Sequence, residues 1–89
     1  MKTKIWKYRL EKTVMQSILL PIGYNILTAQ VQHKEITLWV EVNPNENKMI
    51  YVDFMLHGTG QTLEMSQGKY INTLQLFGGD LVLHLYKVN

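Results

Sequence analysis

Eighty-nine residues with no cysteine exclude a disulfide framework and a thiolate zinc site, and suffice for one small domain, residues 1–89, with a modest core. The net charge of +2 is unevenly placed: residues 1–12 set five basic side chains against Glu11, and residues 13–89 carry a net −2. A basic segment of this kind attracts anions or guards an outer strand with lysines, and neither use requires nucleic acid.

A period of two runs through the chain. In Ile5–Leu10, Trp6, Tyr8 and Leu10 share one face and Lys7 and Arg9 the other, which predicts a half-buried strand with its aromatics inward. Thr13–Leu20 reads as a second strand ending at Pro21, a residue suited to an edge or turn. The uncharged span Thr13 to His33 contains Gln16, Pro21, Gly23 and Asn25, too polar for the ~20 apolar residues of a spanning helix. Asn25–Gln32 is a third strand, with Leu27, Ala29 and Val31 inward, and the His33-Lys34 turn joins it to Glu35–Val42. There Ile36, Leu38, Val40 and Val42 oppose Glu35, Thr37, Trp39 and Glu41.

Asn43-Pro44-Asn45-Glu46-Asn47 is a cluster of turn formers, expected to join strand four to Met49–His57 as a hairpin. On that fifth strand Ile50, Val52, Phe54 and Leu56 face inward, and Met49, Tyr51, Asp53 and Met55 outward. A patternless connection follows, in which Glu64-Met65-Ser66-Gln67 has the makings of one helical turn. Tyr70–Leu76 and Leu81–Val88 flank Gly78-Gly79, the signature of a hairpin with a two-residue turn at positive φ. The whole reads as all-β: about seven short antiparallel strands in a small barrel or sandwich. In the last strand Leu81, Leu83 and Leu85 alternate with Val82, His84 and Tyr86, so both faces are apolar. Either the second face meets another copy, giving a homo-oligomer, or the strand is central and covered on both sides.

Enzyme signatures are missing: the chain has no Gly-x-Ser-x-Gly, His-Glu-x-x-His, phosphate loop or dinucleotide fingerprint. His33, His57 and His84 are not spaced as ligands; Asp53 and His57 share a strand face but lie about 13 Å apart. No catalytic residue, metal or cofactor is therefore expected. The sharpest local feature is His57-Gly58-Thr59-Gly60, where glycines let backbone amides approach an anion and Thr59 and His57 add side-chain donors; the same glycines serve equally well in a plain strand-ending turn. Trp39, on the polar face of strand four, is a candidate anchor for a ligand or partner. Lys7 and Arg9 oppose Trp6 and Tyr8, which argues against a single-stranded nucleic-acid groove, where bases and cations share one face.

Ile5-Trp6-Lys7-Tyr8, Ile26-Leu27 to Val31-Gln32, Leu38-Trp39, Asn43-Pro44, His57-Gly58-Thr59-Gly60, Tyr70-Ile71-Asn72-Thr73, Gln75-Leu76 and Gly78-Gly79 to Leu83-His84-Leu85 together resemble a family of small proteins common in phages and prophages, a domain of unknown function. Members usually carry Gly where Asn72 stands, and Phe often replaces Leu83 or Leu85. The resemblance implies a phage protein acting in the host cytoplasm, by binding rather than by catalysis. One such role is capture of a cyclic nucleotide or ADP-ribose-like signal of bacterial immunity; others are to block a host protein or to serve as a virion part. For the first, His57, Gly58, Thr59 and Gly60 would meet the phosphate, Trp39 or Tyr70 the ring, and Lys7 or Arg9 the charge. For the second, an apolar sheet face would use Met49, Tyr51 and Met55 as adaptable contacts.

Overall fold

The computed structural model describes residues 2–63 and 68–88, so the helical turn expected over 64–67 lies outside the described residues. Seven strands follow in order: β1 Lys4–Leu10, β2 Met15–Pro21, β3 Asn25–Gln32, β4 Glu35–Val42, β5 Met49–Gly58, β6 Lys69–Leu76 and β7 Leu81–Lys87. They form two antiparallel sheets, β1-β4-β3 and β2-β5-β7-β6, packed face to face as a sandwich and not closed as a barrel.

Alternation explains the packing. Ile36, Leu38, Val40 and Val42 of β4 meet Val52, Phe54 and Leu56 of β5 and Leu85 of β7 in one core, completed by Leu10, Leu20, Ala29, Leu74 and Leu76. The β3–β4 hairpin turns through His33 and Lys34 at φ 51° and 68°, the left-handed pair that a two-residue connection demands.

The expected β4–β5 hairpin does not form. Both edges of β4 are taken, by β1 and β3, and β5 pairs instead with β2 and β7. The segment after Val42 therefore carries the chain from one sheet to the other. Its Asn43 side chain accepts from the Asn45 amide, and Glu46 Oε1 accepts from that of Lys48. The β6–β7 hairpin does form, but through four residues: Phe77, Gly78 and Gly79 all have positive φ, and the Asp80 amide donates to the Phe77 carbonyl.

Three side chains expected inward are exposed. Leu27 is the extra residue of a bulge between Ile26 and Thr28, which turns it out and leaves Ile26 against the core. Trp6 stands on the edge strand β1, with a sheet neighbour on one side only. Ile50 lies at the start of β5, near the end of its sheet. Conversely Met55, expected outward, is buried among its neighbours on the outer face.

A second bulge at Ile71 in β6 stands near the first, where the edges β3 and β6 of the two sheets meet. Asn72 ties them together. Its Oδ1 accepts from the buried Ala29 amide at 2.7 Å and from the Thr28 hydroxyl at 3.2 Å.

Candidate functional site

The Gly-Thr-Gly segment leaves the end of β5 as a tight turn. The Gln61 amide donates to the Gly58 carbonyl at 3.3 Å, and Gly60, at φ 88°, takes the position that only glycine fills without strain. The Gln61 side chain folds back to accept from the Gly58 amide at 2.9 Å, and a Cβ on Gly58 would sit 3.2 Å from it. That amide is thus satisfied within the turn. What the turn presents outward is the Thr59 hydroxyl.

Thr59 Oγ1 lies 2.8 Å from His84 Nε2, and His84 Nδ1 lies 3.0 Å from Thr73 Oγ1, which in turn lies 2.6 Å from the Tyr70 hydroxyl. The ladder explains the convergence. Within the four-stranded sheet, His84 stands opposite His57 on one side and Thr73 on the other, and Tyr86 stands opposite Met55 and Tyr70. All of these project from the outer face. Tyr70 and Tyr86 pack edge to face, with ring centroids 5.7 Å apart, and Tyr70 remains 52% exposed. The result is a hydrogen-bonded chain, Thr59–His84–Thr73–Tyr70, running from the turn across β7 to β6. Hydroxyls can donate or accept, so the chain can adjust its direction to a bound group.

His57 serves the turn itself. Its Nε2–H donates to the Thr62 carbonyl at 2.7 Å, while Nδ1 is buried and has no partner among the described residues. Beside it, His57, Thr59, Gln61, Leu63, His84 and Tyr86 line a shallow depression of about 260 Å³.

The structure brings His57, Gly58, Thr59, Gly60 and Tyr70 to one sheet. It does not bring Trp39, Lys7 or Arg9 to them: these lie on the outer face of the three-stranded sheet, across the sandwich. Trp39 is half-buried between its register partners Lys7 and Thr28. Arg9 pairs with Glu11 at 3.2 Å and Glu35 at 4.0 Å, and Lys7 Nζ donates to Gln32 Oε1 at 3.1 Å.

Sequence reasoning missed His84, Thr73 and Tyr86. Their common parity on the Gly-Gly hairpin was visible, but which strand lay beside them was not. Among the described residues no cluster of three or more His, Asp or Glu is arranged to hold a metal, and no helix is long and apolar enough to cross a membrane.

No curated protein and no solved structure matches the chain. A family model does, over residues 1–89: that of a domain of unknown function, DUF7352. The chain belongs to that family.

Proposed function

We propose that this protein is a non-enzymatic capture protein for a nucleotide-like small molecule, such as a cyclic nucleotide or an ADP-ribose derivative. The observation that carries the reading is the Thr59–His84–Thr73–Tyr70 chain, which joins hydroxyl and imidazole groups to an exposed aromatic ring on one face. Tyr70 offers a stacking surface for a base, and Thr59, when it accepts from His84 Nε2–H, keeps its own hydroxyl proton to donate to a phosphate oxygen. Thr59 and His84 stand at the distance of a nucleophile and its base, yet the third member is the Thr73 hydroxyl. A hydroxyl brings no charge to steady an imidazolium, so the arrangement suits binding better than acyl or phosphoryl transfer. A phage-encoded protein of this kind would act in the host cytoplasm as a sponge for an immune signal.

Isothermal calorimetry against a panel of cyclic nucleotides and ADP-ribose derivatives tests the reading. At least one member should bind, and Tyr70→Ala should weaken that binding by about 1–3 kcal/mol, the usual worth of one base–aromatic stack. No heat at high micromolar ligand for any member would overturn it.

A second reading rests on a different part of the same sheet. Leu19 and Tyr51 are register partners, Pro21 and Met49 are the next pair on the same face, and Met15 shares that face at the start of β2. Leu19, Met49, Tyr51 and Met15 are all exposed, Tyr51 by 67%. An apolar stretch like this suits a protein partner or a second copy of the chain. A stoichiometric host protein recovered on the wild type but not on a Leu19→Glu/Tyr51→Glu variant would favour it.

A further inference from the structure

The two bulges leave an opening at one end of the β3–β6 seam. Below it Asn72 ties the strands together; above it Tyr24, Ile26, Ile71 and Tyr70 wall a crevice of about 360 Å³, rimmed by Lys69 and Lys87. These two lysines stand directly opposite each other on β6 and β7. Like charges in that relation repel and weaken a sheet, so the pairing asks for a compensating anion. Among the described residues neither ammonium has an acidic partner: the ion pairs there are those of Arg9. Asp80, the one acid of residues 68–88, lies at the far end of the hairpin, and the Asp53 carboxylate accepts from the Ser17 hydroxyl.

The fold brings the pair together through a glycine. Gly68, at φ 102°, lies so close to the Lys87 backbone that a Cβ would collide with the Lys87 carbonyl oxygen. Only glycine lets the chain enter β6 there and set Lys69 beside Lys87.

We propose that this crevice is a phosphate subsite, which takes the pyrophosphate or another multiply charged phosphate group of a nucleotide between Lys69 and Lys87. The inference deepens the functional reading above and rests on it for the rest of the ligand. The depression beside the Gly-Thr-Gly turn has no lysine or arginine in its lining. The crevice supplies the missing cations, and the Tyr70–Tyr86 pair joins the two places, Tyr86 lining the one and Tyr70 the other. A ligand that reaches both rounds the free edge of β6, because Lys69 and Lys87 alternate with Tyr70 and Tyr86 along their strands and so stand on the other face of the sheet.

The test is a titration of the ¹⁵N-labelled protein with inorganic pyrophosphate and, separately, with ADP-ribose, followed by amide chemical shifts. Pyrophosphate should move the amides of Tyr24, Lys69, Tyr70 and Lys87, and Lys69→Met and Lys87→Met should each weaken it about tenfold or more. Both variants should keep or raise the melting temperature, because each removes a repulsion; that separates lost binding from lost fold. Pyrophosphate that leaves these amides unmoved at millimolar concentration, or whose affinity ignores both substitutions, would overturn the subsite. The two readings fail separately. A nucleotide that binds at Thr59 and His84 while pyrophosphate ignores the crevice sinks the subsite alone. Pyrophosphate held by the lysines, with no nucleotide of the panel bound, sinks the nucleotide reading alone.

Discussion

Asn72→Ala should be among the costliest single changes outside the core. The substitution removes the one acceptor shared by the Ala29 amide and the Thr28 hydroxyl. Ala29 is 1% exposed, so its amide is left without a partner where water enters poorly. An unsatisfied buried donor costs about 1–3 kcal/mol, and the hydroxyl bond adds a net ~1 kcal/mol. Thr28 is half-exposed and can recover part of its share from water, which places the total near 2–3 kcal/mol. Against the ~5–15 kcal/mol of a small domain that is a large fraction, and it lowers the melting temperature by about 8–24 °C. Equilibrium urea unfolding, with an unchanged m-value, reads it directly. Asn72→Asp is the control: both bonds are accepted by oxygen, so a carboxylate keeps them and should hold most of the stability. Hydrogen exchange at the Ala29 amide should speed up in the alanine variant and not in the aspartate one. An alanine variant within ~0.5 kcal/mol of wild type, or an aspartate variant equally weakened, would refute the inter-sheet tie.

Other outcomes follow from the same geometry. Lys34→Gly should stabilise the protein by about 1 kcal/mol, since the left-handed φ of 68° at that position costs a side chain and costs glycine nothing; an unfolding curve shifted downward would contradict it. Gly68→Ala should disturb the start of β6, visible as altered amide shifts of Lys69 and Lys87 and a lowered melting temperature, because its Cβ meets backbone that cannot yield. Phe54→Ala should cost about 3–5 kcal/mol, as expected for a large aromatic with no exposed surface. Burial pushes the Tyr8 hydroxyl above the ordinary tyrosine range, because desolvation penalises its ionised form. The neutral ring is thus favoured by the fold. That contribution is complete below the unfolded tyrosine value and is lost as pH rises through the folded one, so stability should fall on the alkaline side. Tyr8→Phe should flatten that alkaline fall in pH-dependent urea unfolding.

All seven strands and the inward face of β4 could be read from alternation, because a two-sheet sandwich buries one side of every strand. Pairing was harder. The Asn-Pro-Asn-Glu-Asn segment carries the same turn chemistry whether it closes a hairpin or crosses between sheets, and only the occupied edges of β4 decide. Bulges left no signal either: Leu27 and Ile71 look like ordinary strand residues, and one extra residue in each reverses which neighbours face the core. The site was half legible for the same reason. Thr59 announced itself through its flanking glycines, whereas His84 and Thr73 acquire meaning only once β7 is known to lie between β5 and β6. Lys7 and Arg9 drew notice as a basic run, but the two lysines that stand directly opposite each other, Lys69 and Lys87, are eighteen positions apart and meet only through strand register. Asn72 takes its structural task only where β3 and β6 meet, which its own strand does not foretell.

Native mass spectrometry of the protein after incubation with cyclic nucleotides and ADP-ribose bears most directly on the capture of a nucleotide-like anion. The account expects a folded protein carrying one ligand per chain, with the adduct lost on Tyr70→Ala and on Lys69→Met/Lys87→Met. A bare chain mass across the whole panel, at ligand concentrations well into the high micromolar range, would contradict it.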